Sequence, residues 1–140
     1  LPTLNAMLEQ LRASRAKTVD HLAGIADAQM TTAIPRRQTP ADVRFMFYRI
    51  VAHEVEHTVH LTKTLQALGV HQTEAQIILR DLQEARGKLE GLLAGLADAD
   101  LDRDPGDGQW PLRKVLEHII ETEDSYARRI LEAFQEPATH

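Results

Sequence analysis

Three histidines, His53, His57 and His60, fall within eight residues of one another, and a fourth, His118, lies far along the chain. A neutral imidazole nitrogen offers a lone pair to Zn, Ni or Fe(II). Three such donors with water in the open position make a catalytic divalent site. His53 and His57 are four residues apart, so one helix supplies two donors, and His118 would supply the third. Each ligating ring usually has its other nitrogen oriented by a carboxylate or carbonyl. Glu54 and Glu123 fall near the apolar stripes of their helices and are candidates for that role or for a general base. The plainer reading is that seven histidines in 140 residues produce such a pair by chance, as satisfied core residues. On a wheel centred on Ile119, His118 lies about 100° off, which suits a ligand at a cleft mouth or a surface residue. His60 reads as a rim residue. His21, His71 and His140 have no partner visible in sequence.

The element that must position the pair runs from Phe45 to Gly69. Apolar residues recur at Met46, Ile50, Leu61 and Leu68, with Val43 just ahead, which is a helical period. With Ile50 at the centre of the stripe, His57 lies about 20° away and His53 about 60°, at roughly 100° per residue. Both rings are therefore expected to point inward. This second helix is expected from about Pro40, with Thr39 as N-cap, to Leu68, stopping at Gly69. A first helix is expected over residues 3–26, capped by Thr3 or Asn5, with Leu4, Leu8, Leu11, Val19 and Leu22 on one face. Thr73 caps a third, with Ile77, Ile78, Leu82, Leu89, Leu93 and Leu96 inward. Trp110 and Pro111 open a fourth that ends before Pro137. Trp110 is read as closing one end of the core, with its indole N–H at the surface.

The chain repeats itself. LAGIADAQM at 22–30 matches LAGLADADL at 93–101, and Ile50-Val-Ala-His53 aligns with Val115-Leu-Glu-His118 once the first linker is taken as about six residues longer. Two hairpins of one design give a pseudo-two-fold, all-α four-helix bundle spanning residues 1–140 as a single domain. In that register His53 and His118 occupy equivalent depths.

Composition excludes much else. The net charge of −5 and the lack of clustered Lys and Arg exclude a nucleic-acid binder. No cysteine is present, so a disulfide, thiolate ligand or Cys nucleophile is excluded, and any thiol must arrive as a small molecule. No apolar run approaches the ~20 residues of a membrane span. With no signal-peptide pattern visible from Leu1, a soluble cytoplasmic protein is expected. Phosphate-loop, GxSxG and SxxK motifs are missing. Glu54 and His57 make one Glu-x-x-His motif, but Val115 precedes His118 at that spacing, so a di-iron centre lacks its second motif.

The residues carry a family resemblance. Gly108-Gln-Trp110-Pro-Leu-Arg-Lys-Val-Leu-Glu-His118 is similar to the segment of the DinB/YfiT-like superfamily in which a Trp opens a helix and a His follows eight residues on. Val51-Ala-His53-Glu-Val-Glu-His57 resembles its His-x-x-x-His helix. In the family the Trp/His helix comes second and the His-x-x-x-His helix fourth; here the order is exchanged. Where relatives continue with Arg-Gly-Gln, this chain has Thr58-Val59-His60. The resemblance implies a DinB-like four-helix bundle, a homodimer, and one divalent metal held by His53, His57 and His118. It also implies a small-molecule substrate and transfer chemistry that uses a low-molecular-weight thiol, or else a hydrolysis, on a small electrophile. The alternative is a non-catalytic, stress-related binding or scaffold bundle.

Overall fold

The apolar periods form helices whose ends are set by the side chains at each start. The computed structural model describes residues 1–135. Among them are four α-helices: α1 (Leu4–Leu22), α2 (Val43–Ala67), α3 (Glu74–Leu93) and α4 (Leu112–Glu132). Two 3-10 turns, Asp27–Gln29 and Asp98–Asp100, lie between them, and no strand occurs among the described residues beyond one isolated Ala33–Asp42 bridge. Among the described residues this is the expected all-α class with four helices. Pro137 and His140 lie outside the described residues.

Thr3 caps α1, its hydroxyl accepting from the Ala6 N–H at 3.2 Å. Thr73 caps α3 in a reciprocal box: Gln76 N–H donates to the Thr73 hydroxyl, and Thr73 N–H donates to Gln76 Oε1. Gly69, at φ +67°, ends α2. Val70 N–H reaches back to Leu65 O and Gly69 N–H to Gln66 O, both at 3.0 Å, which satisfies carbonyls the helix end leaves open.

Two boundaries differ from expectation. α2 starts at Val43, capped by Asp42 Oδ1 accepting from Phe45 N–H at 2.8 Å, and not at Pro40 behind Thr39. The reason is a closed loop: Ile34 N–H donates to Ala41 O and Val43 N–H to Thr32 O, so residues 41–42 are held extended beside residues 32–34. α1 stops at Leu22 instead of running to residue 26. Ala26 is extended, and its N–H is taken by Gln29 Oε1 at 2.9 Å, so the helical ladder cannot continue through it.

The sequence repeat is a structural repeat at these linkers. Ala97 is extended like Ala26, and its N–H donates to Asp100 Oδ2 at 3.0 Å, just as Ala26 donates to Gln29. Met30 O then accepts from Arg44 N–H at 2.8 Å, and Leu101 O accepts from Arg113 N–H at 2.9 Å. In each case the acceptor closes the linker onto the second residue of the following helix. These closures set a register different from the one expected. Counting from Val43 and Leu112, His53 is the eleventh residue of α2 and His118 the seventh of α4. His118 therefore lies four residues, about one turn, nearer its helix start. The helix-start equivalent of His118 is Arg49.

Contacts group the chain into two units, Leu1–Gly95 and a second beginning at Leu96. In the first, half-buried apolar residues gather around the 3-10 turn and the start of α2: Leu22, Ile25, Met30, Ile34, Val43 and Met46. In the second, Leu101, Val115, Leu116 and Ile119 are half-buried. No described residue is fully buried, and the expected inward positions Leu4, Leu11, Ile50, Leu61, Leu68, Ile78 and Leu82 are exposed. Cover comes from turns folded back on helix ends, and α2 beyond Phe47 gains none. No helix among the described residues is long and apolar enough to cross a membrane.

Candidate metal centre

α2 carries the histidines as a stack. The His53 and His57 rings meet edge to face, with centroids 4.4 Å apart and planes at 67°. His60 lies on the other side of His57, with centroids 5.6 Å apart and the two Nδ1 atoms 3.4 Å apart. The helix dictates this: residues three and four apart are surface neighbours, so 53, 57 and 60 share one face. All three are exposed. The rings thus stand on an open face, where His53 and His57 were expected to point inward and His60 to lie at the rim. The i, i+3 spacing that joins His60 to His57 was present in the sequence; taking Ile50 as the centre of the face set it aside.

His53 and Glu54 line an open groove of about 290 Å³ together with Met46, Arg49 and Ile50. Glu54 Oε2 accepts from an Arg15 guanidinium N–H at 3.0 Å, which ties α1 to α2. Arg15 has no motif signal, and only the geometry reveals it. The Thr58 and Thr64 hydroxyls donate back to Glu54 O and His60 O.

In the second unit, His118 meets Trp110 edge to face, with ring centroids 5.3 Å apart and planes at 79°. Lys114 Nζ lies 4.5 Å from the centroid of the same indole. Trp110 is half-exposed beside the start of α4 and packs on residues one and two turns into that helix. Its expected place at a helix start holds, and its ring serves as a wall for His118. Glu123 is half-buried on α4.

The start of α4 is fixed by charge. Arg113 Nε and Nη2 donate to the two carboxylate oxygens of Asp102 at 2.6 and 2.8 Å. The guanidinium holds the Asp102 carboxyl below its ordinary range, and the carboxylate raises Arg113 in turn. Asp100 is also lowered, first by the N–H of Ala97 and then by Arg103. Asp102 is exposed and Asp100 half-buried, with its Arg103 partner exposed, so these pairs serve geometry more than stability. Nothing in the spacing of Asp102 and Arg113 announced this fork.

The donor chemistry suits a divalent metal: imidazoles clustered on one helix face, with a carboxylate nearby. Among the described residues, however, no group of three or more His, Asp or Glu is assembled that could hold a metal ion. His53 and His57 belong to the first unit, and His118 to the second.

Residues 81–139 match the family model described as the DinB superfamily. No curated protein and no solved structure matches the chain.

Proposed function

Taking the chain as a DinB-superfamily member, as the match over residues 81–139 supports, we propose that it is a divalent-metal-dependent enzyme acting on a small electrophile. The metal, Zn, Ni or Fe(II), would be held by His53 and His57 on α2, with His118 as the third donor that the family resemblance implies. When bound, it supplies Lewis acidity and lowers the pKa of a water or a low-molecular-weight thiol toward neutrality. The reaction is S-transfer from such a thiol, or hydrolysis.

The observation that carries this is the His53–His57 ring contact on α2, two imidazole donors on one open face. Trp110 limits the rotation of His118 by packing on its edge. Glu54, anchored through Oε2 by Arg15, stands at the groove beside His53 and accepts the proton released as the nucleophile forms. Glu123 orients a ligand or moves a proton from α4. The protein works as a soluble cytoplasmic homodimer with no nucleic-acid or membrane partner. Assaying the Zn- and Ni-loaded chain with low-molecular-weight thiols and small electrophiles tests this. Turnover that is lost in His57→Ala and strongly reduced in Glu54→Gln is the expected outcome. Turnover unchanged in His57→Ala contradicts it.

The second reading is a non-catalytic binding or scaffold bundle. It is favoured by the open face on which the histidines stand and by the lack of an assembled three-residue cluster among the described residues. Metal binding without turnover of any thiol or ester substrate would select it.

A further inference from the structure

The two Nδ1 atoms of His57 and His60 face each other across 3.4 Å. That separation is at the long end of hydrogen-bond distances, beyond the about 2.7–3.2 Å of ordinary N–H···O bonds. It suits a different purpose. Two imidazole nitrogens each about 2.0–2.1 Å from a tetrahedral Zn are about 3.3–3.4 Å apart. We infer that His57 and His60 form a two-nitrogen chelate on α2, which takes a divalent transition metal of the Zn or Ni class through Nδ1 of both rings. His60, which has no part in the proposed catalytic triad of ligands, is then a metal ligand in its own right.

The local structure supports the chelate. The two residues are i and i+3 on a regular helix, so their backbones hold the spacing. His53 contacts the His57 ring as well, with centroids 4.4 Å apart and planes at 67°. Both rings are exposed, so water or another small ligand fills the remaining positions without desolvating anything. Because His57 cannot serve both arrangements at once through one nitrogen, metal on the α2 chelate and metal on the set containing His118 are alternatives. The chelate loads metal from solution without His118.

The test uses the full, untagged chain, since a polyhistidine tag would bind the probe. Zn²⁺ is titrated by calorimetry into wild type, His118→Ala, and His118→Ala combined with His60→Ala. Long-range ¹⁵N correlation spectra report which ring nitrogens shift. Alanine at exposed helix positions favours the helix, so the variants are expected to fold, and circular dichroism checks this. His118→Ala should bind one Zn²⁺ per chain, with Nδ1 of His57 and His60 shifted, and adding His60→Ala should weaken binding tenfold or more. Equal binding by those two variants overturns the chelate. So does loss of all binding in His118→Ala while wild type binds, a result that leaves the proposed function standing. Equal binding by wild type and His118→Ala, with His60→Ala destructive, upholds the chelate and removes His118 from the proposed site.

Discussion

The His118 ring packs against Trp110, and that contact can be read directly. The indole edge contact should impose a ring-current shift on the His118 ring protons. Trp110→Ala should abolish that shift, and Trp110→Phe should retain part of it, as measured by proton NMR. Unchanged His118 resonances in Trp110→Ala would contradict the contact. At this scale the sequence announced residue types better than partners. The His53–His57 spacing alone predicted a shared face, and the structure brings the rings together. His60 was legible by the same i, i+3 rule but was discounted because the apolar stripe was centred on Ile50. Arg15 on Glu54, and Asp102 on Arg113, are partners 39 and 11 residues apart in the chain, and only folding brings them together.

Helix ends carry the predictions at the scale of elements. Thr73→Ala removes the hydroxyl half of a capping box and should destabilise α3 by about 1 kcal/mol, measured as lost helicity and a lower urea midpoint. Retained stability would show that Gln76 suffices. At the start of α4, the Asp102 carboxyl has a depressed pKa in the folded protein. Its contribution is therefore fully present above the ordinary carboxylate value and is lost as pH falls through the lower folded value. A carbon-detected titration should place the Asp102 midpoint below the ordinary carboxylate value. In Arg113→Gln the midpoint should return toward the ordinary range; a midpoint that stays low in that variant would assign the shift to another group. Caps were legible because Thr3 and Thr73 need only neighbours in sequence. The starts and stops that depend on chain returning to chain were not. α2 begins at Val43 because the loop pairs Thr32 and Ile34 with Val43 and Ala41. The same closures explain why His53 and His118 do not share a register, although the repeated LAG(I/L)ADA segment was plain in sequence.

At the scale of the molecule, the all-α class, with four helices among the described residues, was legible from apolar periods and punctuating Gly and Pro. The depth of each helix face was not, because a period says which residues share a face and not what covers it. Val51, Val55 and Val59 stay largely exposed along α2. The proposed homodimer should appear in sedimentation as twice the 15.7 kDa chain mass; a monomer at micromolar concentration would refute it. The proposed activity rests on whether the chain holds a metal at all. Elemental analysis of the untagged protein, with thermal denaturation in added Zn²⁺ or Ni²⁺, should give about one divalent ion per chain and a raised Tm, both lost in His57→Ala. No stoichiometric metal and an unmoved Tm would contradict the reading of the α2 histidines as a metal centre.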